Sequence, residues 1–194
     1  MRTSSTPSRL IRSKRGQTLI ELTLIFPLML ALVYGAVEIG SVISAYLTIT
    51  HTTREGANLT SRGTDPNVAL AAIKAAAAPT IRDSNLAQWK ITYSRIVQNP
   101  AVPCPPTPCN YIIDTAANGR VVLGSYSQTT KLGAVGSHVT DAILPGIDNV
   151  APNQIFHAIE VYYNYSPDVM TYVGKNLIND IFYERTIFTD VNGN

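Results

Sequence analysis

The spacing of hydrophobic residues changes character several times along this chain. From Leu22 to Val37 the run Leu-Thr-Leu-Ile-Phe-Pro-Leu-Met-Leu-Ala-Leu-Val-Tyr-Gly-Ala-Val carries no charge and is apolar on every side. A helix without a wet face belongs in a core or a bilayer. Beyond Glu38, Ile39, Val42, Ile43, Tyr46 and Leu47 fall at helical spacing, while Ser41, Thr48, Thr52 and Glu55 take other faces. This predicts a helix that starts near Gln17, outlasts the apolar run and turns the apolar side of its second half toward a partner. Gly63-Thr64-Asp65-Pro66 breaks it. Asp65 suits a cap and Pro66 a first helical position, so a second helix follows over 67–78, with Pro79 ending it.

From Trp89 the period becomes two. Trp89, Ile91, Tyr93 and Val97 alternate with Lys90, Thr92, Ser94 and Gln98, the pattern of a half-buried strand. Tyr111–Ala117 and Arg120–Tyr126 flank Asn118-Gly119 and predict a hairpin. The Gly-rich stretch 131–153 reads as loop, with a short helix over 139–144. Ile155, His157, Ile159, Val161, Tyr163 and Tyr165 give the longest strand pattern. A short helix over 168–179 and a last strand over 181–189 follow. Helices first and strands mostly after predict an α+β fold. The expected architecture is a long N-terminal transmembrane helix extending into a small exported domain with an antiparallel sheet and short helices.

Charge adds direction. Arg2, Arg9, Arg12, Lys14 and Arg15 precede the apolar run with no acid among them. Such a bias keeps the N-terminus cytoplasmic and exports the rest. Glu21 to Glu38 is 17 steps, roughly 26 Å at about 1.5 Å per residue. A hydrocarbon core is about 30 Å thick, so a carboxylate is expected near each interface. Pro27 removes a helix hydrogen bond and predicts a kink. A cleavable secretory signal shares the basic start and apolar middle. Its cleavage site would be poor, since Tyr34-Gly35-Ala36 opens on a large ring and Ile43-Ser44-Ala45 lies late. Without the five leader cations, 10 Lys and Arg face 13 Asp and Glu, a balance near −3 that speaks against a nucleic-acid partner.

Arg15-Gly16-Gln17-x-x-x-Glu21, Pro27, Gly35-x-x-Glu38-x-Gly40 and Thr53-Arg54-Glu55-Gly56-Ala57 resemble the TadE-like minor pseudopilins of tight-adherence (Tad) pilus machines. The resemblance covers roughly residues 15–60 and includes the processing site of type IV pilin-like precursors. It implies a pilin-like fold and cleavage between Gly16 and Gln17 by a prepilin peptidase. It also implies an assembly role for Glu21, which would neutralise the new α-amine of a neighbouring subunit. The expected parts are a cytoplasmic leader, 1–16, a transmembrane and assembly helix, 17–60, and a periplasmic α+β domain, 61–194. The implied setting is a bacterial inner membrane. The implied partners are the peptidase, other pilins and pseudopilins, the inner-membrane pilus platform and the lipid bilayer. Two alternatives stay open: an uncleaved anchor carrying a periplasmic ligand-binding or scaffold domain, and a minor pseudopilin of a type II secretion system.

Cys104 and Cys109 enclose Pro-Pro-Thr-Pro. Export to an oxidising compartment predicts a disulfide between them, and no second Cys or His pair completes a zinc set. Nucleophile-elbow, Walker, zincin and dinucleotide-binding motifs are absent, and His51, His138 and His157 are scattered, so neither an enzyme nor a cofactor is expected. His157 reads as a core histidine. Arg54 and Glu55 read as solvated, and the late tyrosines as strand residues.

Overall fold

The structure is a computed structural model. It describes residues 14–78, 80–81, 83–102, 109–165 and 181–190, with side chains from residue 19 onward except at 83–84. The chain divides into two compact units at Gly40–Ser41. The described residues of the first are helical: α1, Lys14–Ser61, begins there and runs unbroken through Pro27. Its start precedes the expected Gln17 by one turn. The first amides of a helix have no intrahelical acceptor in any case, so residues such as Gly16 can join that turn. From Leu19 to Val37 the large apolar side chains are exposed.

The second unit holds the rest of α1, α2 and the sheet. α1 ends in a glycine-centred cap. Gly63 takes a positive φ of 87°, its amide donates to Thr60 O, and the Thr64 amide donates to Leu59 O, which satisfies carbonyls the helix leaves open. α2, Pro66–Ala76, starts as expected. Asp65 accepts from the amides of Asn67 and Val68, and Pro66 opens the first turn. Five antiparallel strands are ordered β4 (His138–Val139), β2 (Tyr111–Ile113), β1 (Trp89–Gln98), β5 (Phe156–Asn164) and β6 (Ile181–Thr189). β3 (Arg120–Gly124) pairs with the same edge of β1 as β2, farther along. The α+β class with an antiparallel sheet is the observed one.

The sheet has two buried faces. On one, Trp89, Ile91, Tyr93, Ile159 and Val161 pack on Ile49 and Ala57 of α1 and on Leu70, Ile73 and Ala77 around α2. On the other, Ile96, Tyr111, Ile113, Phe156 and Ala158 meet Leu132, Val139 and Ile147. The alternation in β1 implied a wet second face, but Thr92 and Ser94 are buried. The segment 128–133, part of the loop-rich stretch 125–150, lies over them. Lys90 Nζ donates to Gln128 O at 2.6 Å, and Arg120 donates to Ser94 Oγ and Gly133 O.

Three further expectations are corrected. Asn118-Gly119 does not turn a hairpin, because β2 and β3 both pair with β1. The Asp114 amide donates to Arg95 O, and the Arg95 amide donates to Gly119 O. The chain therefore leaves the β1 edge at Asp114 and rejoins it at Gly119. A Cβ on Gly119 would lie 2.4 Å from Asp114 O, so the return requires glycine. The hairpin present is β1–β2, whose connection carries the cysteines and closes with the Asn99 amide on Asn110 O at 2.7 Å. No helix forms over 139–144: Val139 is in β4, and the amides of Ile143 and Leu144 share Thr140 O in a single turn. The short helical turn lies later, at Ile147–Asn149.

The side of α1 that packs also differs from the expected one. Ile39, Ile43, Tyr46 and Leu47 are exposed, and the buried stripe is Ala45, Ile49, Thr52, Thr53, Ala57 and Thr60. Small side chains let the elements approach: a Cβ on Gly56 would fall 2.0 Å from Ile73 Cδ1. The hydroxyls of Thr52, Thr53 and Thr60 donate to carbonyls of α1 itself, as Thr53 Oγ1 does to Ile49 O at 2.7 Å, so burying these three leaves none of them stranded. The helix expected over 168–179 lies outside the described residues.

Candidate functional site

Gly16 and Gln17 lie in the first turn of α1. Glu21 follows one turn later, exposed among exposed Leu19, Ile20, Leu22 and Leu24. Leu19–Ser61 is long and apolar enough to cross a membrane, with a mean hydropathy of 2.1 over its most apolar window. Glu38 is not at an open surface: it is 2% exposed, while Val37 and Ile39 on either side are 54% and 60% exposed. Residues 16–58 match the family model for TadE-like protein. No curated protein and no solved structure matches the chain. The TadE-like segment thus takes in Gly16, Gln17 and Glu21 and ends within α1, before the sheet begins.

Cys109 is buried with Ile96, Tyr111 and Phe156. Its expected partner, Cys104, lies outside the described residues.

Two polar clusters were not anticipated. Glu160 is fully buried on the second face. Its carboxylate accepts from Thr130 Oγ1, the Lys131 amide (3.0 Å), Tyr183 Oη (2.9 Å) and Tyr162 Oη (3.3 Å). Burial first and the Glu160 charge next raise the hydroxyl pKa values of Tyr162 and Tyr183. Lys131 Nζ sits 3.8 Å from the centre of the Tyr183 ring. The cluster ties the covering segment to β5 and β6. Its parts are 30 or so residues apart in sequence, and no local motif announces it.

The second cluster lines a cleft of about 390 Å³ at the α2 end of the first face, where Asp65, Tyr93, Arg95, His157 and Asp190 meet. Arg95 pairs with Asp114. Burial lowers the His157 pKa, opposed by Asp190, and burial pushes the Tyr93 hydroxyl up to about 12. Tyr93 Oη lies 2.9 Å from His157 Nδ1, and Nε2 lies 3.7 Å from Asp190 Oδ2; in the neutral tautomer that turns its proton toward this carboxylate, Nδ1 accepts from Tyr93. A core histidine of this kind fits the sequence reading of His157. Arg54 and Glu55 are exposed. Among the described residues, no group of three His, Cys, Asp or Glu is placed to hold a metal ion.

Proposed function

We propose that this chain is a TadE-like minor pseudopilin, a single-pass inner-membrane component of a Tad-type pilus assembly machine. The observation that carries this reading is the family match over residues 16–58. It is supported by the long apolar helix on which those residues lie and by the five cations before it. On this reading residues 1–16 are a cytoplasmic leader removed by a prepilin peptidase, 17–60 the membrane and assembly helix, and 61–194 a periplasmic domain. Partners are other pilins and pseudopilins, the inner-membrane platform and the bilayer. The role is structural and needs no cofactor.

Glu21 gives the reading its mechanism. A carboxylate drawn into a helix bundle loses water and requires a cation. Cleavage after Gly16 creates one, the α-amine of Gln17, so processing and assembly become coupled. The test is Glu21→Gln in the native host. Membrane insertion and cleavage stay at the normal level, while cross-linking to partner pseudopilins and the number of pili fall to background. Glu21→Asp restores part of both. Normal piliation by Glu21→Gln would remove this role from Glu21.

A further inference from the structure

The exposed apolar surface of α1 continues past Glu38. Ile43, Tyr46 and Leu47 are 53%, 45% and 49% exposed, and no charged residue occurs from Ile39 to Thr50. The only charge between Leu22 and Thr50 is Glu38, which is buried. Leu22 to Val37 is 15 steps of α1, roughly 22 Å at about 1.5 Å per residue, short of a bilayer core of about 30 Å. Leu19 to Leu47 is 28 steps, roughly 42 Å by the same rise, which matches a bilayer of about 40–45 Å with its headgroup layers.

The composition changes at the far end of this surface. Tyr46 meets Phe182 edge-on at 6.1 Å, and Phe182 meets Tyr165 at 5.7 Å and Tyr163 at 6.4 Å. Ile181 beside them is 40% exposed. Tyr46, Tyr163 and Tyr165 are rings with one polar tip, which the water–lipid boundary favours.

We propose that the lipid-contact surface of this chain runs through Leu47, and that Ile43, Tyr46 and Leu47 of α1 with Ile181 and Phe182 of β6 rest in the headgroup layer. The inference deepens the membrane-anchor reading and rests on it. It makes Tyr46–Leu47, rather than Glu38, the outer limit of lipid contact.

Spin labels on a genetically encoded ketone residue, which leave both cysteines untouched, test this in the full chain held one copy per phospholipid nanodisc. Labels go at Leu28, Ile43, Leu47 and Val135, the last an exposed residue on the segment over the second sheet face. Collision with oxygen and with a water-soluble nickel chelate is measured at each. The oxygen-to-nickel ratio at Ile43 and Leu47 is expected to be several-fold above that at Val135, with Ile43 nearer to Leu28. A lipid-like ratio at Leu28 with water-like ratios at Ile43 and Leu47 overturns the inference and leaves the anchor standing. A water-like ratio at Leu28 overturns both. Labels at Ile43 and Leu47 shielded from both collision partners in one-copy discs would mean protein contact, which also overturns the inference.

Discussion

His157 shows how a single side chain is held and what that costs. It is buried with a lowered pKa, chiefly through loss of water, so the folded state prefers the neutral ring. The unfolded chain takes up a proton below the ordinary histidine value of about 6.5. Where the unfolded state binds more protons, stability falls as pH falls. The contribution of His157 is therefore complete above that value, is lost progressively below it, and levels off beneath the folded pKa. Thermal unfolding of the full chain in detergent between about pH 5 and 8 checks this. The wild type loses more stability on acidification than His157→Gln, which cannot protonate. Parallel pH curves for the two proteins would contradict the assignment. Glu160 is the larger commitment at this scale: four donors converge on one carboxylate, and removing it would take this acceptor from Thr130 and Tyr183, while Tyr162 keeps Thr129 O and the Lys131 amide keeps Tyr162 Oη. Neither site could be located from the sequence, because Tyr93 and His157 are 64 positions apart and only strand register brings them together.

At the scale of elements, local signals were readable where local chemistry decides. Asp65-Pro66 fixed the start of α2, and the last strand expected over 181–189 became β6 residue for residue. Signals failed where a third segment intervened. Asn118-Gly119 has the chemistry of a hairpin turn, yet Arg95 takes both Asp114 and Gly119, so the turn became an excursion along one strand. The apolar side of α1 after Glu38 looked like its packing side. Small residues and self-satisfied threonines instead let α2 and the sheet come close, as Gly56 against Ile73 shows. The hairpin that does form leads to a prediction. Its connection holds Cys104 and Cys109, and a bond closing so short a ring contributes about 2 kcal/mol if strain is small. Thiol labelling of unreduced, denatured protein from its native compartment is expected to find no free thiol. Two free thiols would refute both the pairing and the compartment it assumes.

For the whole molecule, the α+β class and the TadE-like segment were legible in the sequence, and the detail of the sheet was not. Gly16, Gln17 and Glu21 stand in order on one apolar helix, and the TadE-like match spans them. The sheet beyond carries no motif, and its two-sided core could be read only once the covering segment 125–150 was in place. In the proposed reading the basic leader is cut away and the helix retained. The most direct measurement is the intact mass of the chain extracted from the membranes of its native host. The expected mass is that of a mature chain beginning at Gln17, as the free amine or as the cyclised form lighter by one ammonia, with an uncut chain for Gly16→Leu. A wild-type mass beginning at Met1, or one beginning near Tyr46 as signal cleavage would leave it, would contradict it.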